Sequence, residues 1–313
     1  TCALPIYLGP AESLHYLLVR DSIHGPINKD ITLDGNFLIA NDQKVRILPG
    51  GEPGKIPWDS FNVDVLIDAT GKYRNSADLQ KHIDAGAKRV IVTVPPNDEI
   101  DRIVIPGINE ETIELSDQVI STTSSTTQVL ALMLKMLDEK FGVKRAMMTT
   151  IHAYTSDQPL ADSAQADLRR SRSAVENIIP NKTWAPGFVE KIMPQFSGKI
   201  AGTAFNVPVS NGSSVDLTTE LNHLPSVDVV NEAIKSFADS SLKSIVGYTD
   251  DPIVSRDVIG CSETMIFDAK ATMIFANALL KTVCWYDNGW GFSARILELI
   301  KSYQSLENKG DAS

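Results

Sequence analysis

Cysteine is scarce in this chain of 313 residues: only Cys2, Cys261 and Cys284 occur. Three widely spaced cysteines make neither a disulfide framework nor a zinc motif. Cys284 sits in an apolar stretch and reads as a small buried hydrophobe. Such usage fits a reducing, cytoplasmic setting. Basic charge is also short, since the net charge is −10. A nucleic-acid partner needs a basic face, so that class is excluded. No uninterrupted apolar run is long enough to span a bilayer. The most apolar stretch, "TMIFANALLKTVCW", is broken by Asn277 and Lys281. The opening "TCALPIYLGP" lacks the basic start of a signal peptide. No His/Cys/Asp cluster has metal-ligand spacing, and no internal repeat is found.

What remains is ordinary globular composition, 43% hydrophobic and 22% charged, in a chain long enough for two domains. The first part alternates short apolar runs with a helical pattern. "VDVLIDATG" (63–71), "RVIVTVPP" (89–96), "RIVIPGIN" (102–109) and "QVISTT" (118–123) read as strands. "SADLQKHIDAGA" (76–87) reads as a helix capped by Ser76. Near-continuous apolar strands alternating with helix imply a parallel sheet covered on both faces. Ligands of such sheets lie at the carboxyl ends of the strands. That edge would carry "ATG" (69–71), "TVPP" (93–96) and "STTSS" (121–125).

The middle of the chain has longer strand candidates with partial alternation: "AMMTTIHAYT" (146–155), "GTAFNVPV" (202–209), "SSVDLTTEL" (213–221) and "ATMIFANALLKTVCWYD" (271–287). This suits a largely antiparallel sheet with one packed face. "SVDVVNEAIKSFAD" (226–239) and "SARILELIKSYQSL" (293–306) are amphipathic helices, and "ENKGDAS" is a polar tail. Between the two parts runs a helix over 124–137 with apolar residues all round, which predicts burial. The expected fold is α/β, a Rossmann-type parallel sheet plus an α+β domain with a largely antiparallel sheet.

"TTSSTTQV" (122–129) opens that buried helix. Helix entries stabilise nucleophiles and bind anions, because their outward N–H groups lack intrahelical partners. Taken alone, Ser124 and Ser125 read as helix caps. His24 reads as structural, and His15, His82 and His223 as surface or helix-packing residues.

Several long blocks carry a resemblance: "DATGKY", "STTSSTTQ", "MMTTIHAYTSDQ", "DLRRSRSAVENIIP", "SSVDLTTEL", "GYTDDPIVSRD" and "WYDNGWGFS". In this order they resemble phosphorylating glyceraldehyde-3-phosphate dehydrogenases, from about "LLVRDSIHG" (17–25) to "GFSARILELI" (291–300). The resemblance implies a nucleotide-binding domain at 1–124 and 289–313 and a catalytic domain at 125–288. The Gly-x-Gly-x-x-Gly unit that opens the family's sheet is not found here, and "TCALPI" resembles a translated sequencing adaptor. The expectation is therefore an N-terminally shortened nucleotide-binding domain.

The resemblance also implies site roles. Position 125 would carry the nucleophile, a cysteine in the family, and His152 its base. Ser125 weakens that chemistry, since a hydroxyl is not ionised near neutral pH and needs concerted proton removal by His152. Asn288 would hold the nicotinamide carboxamide, with Thr70, Gly71 and Thr93 beside the dinucleotide; Phe292 stands for a family tyrosine. Substrate and phosphate contacts would come from Ser124, Thr126, Thr155, Thr183 and Arg170. Arg170 reads equally well as a subunit-contact charge. Trp184 stands where glycine is usual, Gly187 where lysine is, and Asn206 where the phosphate-binding arginine is expected, so phosphate recognition is altered. The implied cofactor is NAD or NADP, the partners a small aldehyde and phosphate, and the assembly a homotetramer. The implied activity is a weakened or altered aldehyde oxidation. The alternatives are a catalytically silent dinucleotide-binding or regulatory relative, and a scaffold for hetero-oligomers.

Overall fold

In the computed structural model, residues 6–310 are described, apart from 8, 28–29 and 42. The adaptor-like opening, residues 1–5, and the last three residues of the tail lie outside them. The chain divides into two compact units, 1–64 with 77–88, and 65–76 with 89–313.

The first unit holds helix α1 (Ala11–Val19) and a three-stranded meander. The meander's strands are β1 (Ile31–Asp34), β2 (Phe37–Ala40) and β3 (Gln43–Arg46). Gly35 and Asn36 make the tight turn between the first two, where Gly35 takes φ +55°. The unit also holds nearly all of α2 (Ser76–Asp84). On α2, His82 is buried and accepts from Trp58 Nε1 at 3.2 Å. It is thus a packing residue, as expected.

The second unit contains both expected sheets. Four parallel strands, β4 (Val65–Asp68), β5 (Arg89–Val92), β6 (Arg102–Ile103) and β7 (Val119–Ser121), lie in the order β6-β7-β5-β4. Every residue of β5 is buried, as an interior parallel strand requires. Ile91, Val104, Ile113 and Ile120 pack with Ile296, Leu299 and Tyr303 of the last helix, α6 (Trp290–Gly310).

Beyond β7 the chain enters α3 (Ser125–Phe141), whose residues Thr126–Leu134 are all buried. Fully burying each leucine or methionine stabilises by roughly 1.5–3 kcal/mol. This helix belongs to the core of a seven-stranded sheet. Its strands are β8 (Val143–Ala153), β9 (Ile179–Asn181), β10 (Ile200–Val207), β11 (Ser213–Leu221), β12 (Val246–Thr249), β13 (Met265–Phe275) and β14 (Leu279–Tyr286). Their order is β9-β10-β8-β11-β14-β13-β12. Only β8/β10 and β12/β13 are parallel pairs, so the sheet is largely antiparallel. Two further helices belong to this unit, α4 (Ala185–Ile192) and α5 (Val227–Asp239).

Two elements differ from the sequence reading. "ATMIFANALLKTVCWYD" is not one strand but the hairpin β13–β14. It turns at Ala276 and Asn277, both at φ +50°. The apolar pattern runs on through the turn and hides it. α6 begins at Trp290 rather than Ser293, because the Asp287 carboxylate accepts the N–H groups of Gly289 and Trp290, each at 2.8 Å. It also runs on to Gly310, and Arg89 pairs with its Glu307 at 2.6 Å. Among the described residues, no helix is long and apolar enough to cross a membrane. Nor is any group of three His, Cys, Asp or Glu side chains placed to hold a metal ion.

Candidate active site

The carboxyl ends of β4, β5 and β7 lie side by side. At the end of β4, Asp68 Oδ1 accepts from the Thr70 amide at 2.9 Å and its hydroxyl at 2.7 Å. Gly71 follows at φ +69°, a left-handed turn that glycine adopts without strain. At the end of β5, Thr93 donates its amide and hydroxyl to the Asp68 carbonyl, each at 3.1 Å. The three sequence-predicted residues Thr70, Gly71 and Thr93 therefore share one edge, organised around Asp68.

At the end of β7 the backbone is strained. Thr123 is buried at φ +61°, a conformation costly for a β-branched residue. Its surroundings hold it there. Its amide donates to Ser121 Oγ at 3.0 Å, and Gln128 Nε2 reaches back to the Thr122 carbonyl at 3.0 Å. The twist feeds the chain directly into α3. Ser124 is the N-cap, its Oγ accepting from the Thr127 amide at 3.2 Å. Ser125 is the first helical residue and half-buried. At that position no intrahelical carbonyl reaches its N–H, so the helix entry can stabilise negative charge.

His152 stands near the end of β8. Its Nδ1 lies 2.7 Å from the Ala153 carbonyl. A carbonyl can only accept, so Nδ1 carries the proton and Nε2 is left as the basic nitrogen. Burial pushes the imidazole below its ordinary range, while the Ala153 carbonyl and the Asp157 carboxylate pull the other way. A neutral imidazole with a bare Nε2 is a competent proton acceptor.

Tyr286 links these two parts. Its fully buried hydroxyl bonds Thr126 Oγ1 at 2.7 Å and Thr150 Oγ1 at 3.2 Å. Its ring meets the His152 ring edge-on, with centroids 6.2 Å apart. Thr126 directly follows Ser125, so the helix entry and the base converge on one tyrosine. Asn288 joins from the other side. Its Oδ1 accepts from Ser213 Oγ at 2.5 Å, and Ser213 Oγ accepts the Ala153 amide at 3.0 Å. The Asn288 side-chain NH2 is then the amide's remaining hydrogen-bonding group, which suits it to a carboxamide oxygen. These donors fit a nicotinamide-type cofactor.

Thr155 and Arg170 form a separate group around Asp157. The Thr155 hydroxyl donates to Asp157, and Arg170 pairs with the same carboxylate at 2.5 Å. Thr183 serves the start of α4, its Oγ1 accepting from the Ala185 amide at 3.3 Å. The adjacent Trp184 and Gly187 are exposed. Asn206 is buried and lies opposite His152 in the parallel β8/β10 register. Sequence reasoning missed Tyr286, Ser213, Asp157 and Asn181. Tyr286 alone left a signal, as a polar-tipped aromatic at an inward position of β14 that must find a partner.

Comparison with known proteins agrees with this arrangement. Residues 124–288 match the description "Glyceraldehyde 3-phosphate dehydrogenase, C-terminal domain". Residues 6–76 match "Glyceraldehyde 3-phosphate dehydrogenase, NAD binding domain". The chain is 40% identical over 293 residues to glyceraldehyde-3-phosphate dehydrogenase 1 of Bacillus cereus, spanning 93% of this chain and 87% of that protein. It is 42% identical over 291 residues to the glyceraldehyde-3-phosphate dehydrogenase of Mycobacterium avium, spanning 92% and 85%. On these matches over most of its length, the chain belongs to the glyceraldehyde-3-phosphate dehydrogenase family.

Proposed function

We propose that this protein is an NAD-dependent oxidoreductase acting on a small aldehyde, with Ser125 as a weak nucleophile and His152 as its base. The observation that carries the reading is His152 itself, whose Nδ1 proton is committed to Ala153 while Nε2 stays basic. Nε2 withdraws the Ser125 hydroxyl proton as Oγ attacks the aldehyde carbon and passes it to the former carbonyl oxygen, giving a hemiacetal and freeing Nε2. The same nitrogen then takes the hemiacetal hydroxyl proton as the carbonyl re-forms. NAD, when bound, supplies the hydride acceptor. The acyl group left on Ser125 is an oxygen ester, which phosphate or water must cleave. That ester is a poorer acyl donor than a thioester, so turnover is slow. Ser124 and Thr126 line the helix entry where the attacking anion would approach.

Uncharged aldehydes are the favoured substrates, and phosphorylated ones bind weakly. Asn206 is a neutral amide, and Arg170 is already engaged by Asp157. Thr155 and Thr183 offer hydroxyls without a cation of their own. We assign cofactor binding to 1–124 with 289–313, chiefly through Thr70, Gly71 and Thr93, helped by Asn288 from the end of the adjoining part. Catalysis then belongs to 125–288. We further infer a cytoplasmic homotetramer whose cofactor is NAD or NADP.

The test follows reduced nicotinamide with glyceraldehyde or glyceraldehyde 3-phosphate, phosphate and NAD. Turnover by the protein that His152→Ala abolishes supports the reading. Ser125→Cys is expected to raise the rate on the order of a hundredfold, about 2.7 kcal/mol of barrier. A second reading, a silent dinucleotide-binding or regulatory relative, is favoured by Ser125, Trp184 and Asn206 together. It wins if neither form turns over while NAD still binds.

A further inference from the structure

We propose that Asn206 is a positioning residue for His152, acting with Asn181 as a one-way relay of hydrogen bonds that fixes which imidazole nitrogen carries the proton. The inference deepens the assignment of His152 as base and rests on it.

The relay has a defined direction. The Lys182 backbone N–H donates to Asn181 Oδ1 at 2.8 Å. A backbone N–H can only donate, so the Asn181 side chain must present its NH2 on the other side. That NH2 meets Asn206 Oδ1 at 3.2 Å. Asn206 must therefore turn its own NH2 the opposite way, and it meets the Ala153 carbonyl at 3.4 Å. The same carbonyl takes His152 Nδ1–H at 2.7 Å. Flipping Asn206 would set its NH2 against that of Asn181 and its oxygen against the Ala153 carbonyl, the second of these in a buried place where an unpaired polar group is costly.

The backbone is thereby held on both sides of the Ala153 Cα. The Ala153 carbonyl is fixed by Asn206 and the Ala153 N–H by Ser213. The backbone explains how Asn206 reaches this point. It is bridged by β9 on one side, opposite Ile179, and by β8 on the other, opposite His152. Removing its amide frees the carbonyl to turn away from Nδ1. The imidazole then loses its acceptor, and the form with the proton on Nε2 gains. In that form the nitrogen facing the site is a donor and cannot act as base.

Long-range 1H–15N spectra of the full-length chain at about pH 8, above the imidazole's titration, read the tautomer directly. The chain has five histidines, so the His152 signal is assigned by its loss in His152→Gln. The native protein is expected to show the Nδ1–H form. Asn206→Leu is expected to shift the ratio towards Nε2–H by roughly three- to tenfold, the effect of one net hydrogen bond. Asn181→Ala is expected to shift it less, in the same direction. A folded Asn206→Leu with an unchanged ratio overturns the proposal. Should that variant not fold, Asn181→Ala decides, and an unchanged ratio there overturns it too. The readout needs no turnover. A silent enzyme with a relay-dependent tautomer would refute the catalytic reading and leave the relay standing.

Discussion

Burying an imidazole penalises its charged form more than its neutral one, and His152 carries that penalty near the end of β8. In the unfolded chain the group titrates near 6.5, and in the fold burial moves it lower. Between those two values the unfolded chain binds a proton that the folded one refuses. Acid therefore favours unfolding there. The stability linked to this residue is complete above 6.5 and declines as pH falls towards the lower folded value. His152→Gln removes that dependence. Urea midpoints measured at about pH 7.5 and pH 5.5 should fall more for the parent protein than for the variant. Equal falls would mean that His152 is not neutral by burial. The candidate site residues that the sequence singled out were those carried by long motifs: Ser125, His152 and Asn288. Those it concealed act through partners far along the chain. Asn181 reaches Asn206 across a strand pairing, and Ser213 stands between Ala153 and Asn288. A motif names its own residues, whereas these roles arise only from strand register.

α3 has to enter the core with its first turn aligned to the sheet, and Tyr286 supplies the connection. Its hydroxyl is shared by Thr126 on the helix and Thr150 on β8, in a place closed to water. Tyr286→Phe removes the hydroxyl and leaves two buried threonine oxygens short of a partner. The expected loss is about 1–3 kcal/mol, read from chemical denaturation. A double-mutant cycle with Thr126→Val should give a coupling well above the noise, because the two side chains touch. Additive effects would mean that the helix entry is docked by packing alone. At this scale the sequence was informative wherever period and punctuation agreed. β4, β5 and β7 were bounded by Gly, Pro or hydroxyl residues, and α3 was apolar on every side. The β13–β14 hairpin was not visible, since Ala276 and Asn277 interrupt an apolar run without the Asn-Gly or Asp-Gly signal that marks such turns. A Gly-Asn signal of that kind does stand between β1 and β2, at Gly35–Asn36, and would have located the meander. The extra turns of α6 were obscured by polar residues that look like tail. Arg89 paired with Glu307 shows one contact that the polar end of the helix makes.

For the whole molecule, the choice between NAD and NADP is a difference of two binding free energies to one folded state. Mass action turns the question into a stability measurement. A ligand that binds only the folded state stabilises it by about 2.7 kcal/mol at a hundred times its dissociation constant. In a chain of 313 residues that corresponds to a rise of a few degrees in the unfolding midpoint. NAD is expected to produce this rise. If NADP gives the same rise at the same concentration, the site ignores the ribose phosphate; a smaller one marks a preference for NAD. If Asn288 holds the nicotinamide carboxamide as proposed, Asn288→Ala should reduce the NAD response, while the midpoint without nucleotide changes little. The last point separates binding from folding. Asn288 also accepts from Ser213, so a large drop without nucleotide would recast it as a structural residue of the β11–β14 corner. An undiminished NAD response in Asn288→Ala would remove it from the cofactor site and leave Thr70, Gly71 and Thr93 to hold the dinucleotide.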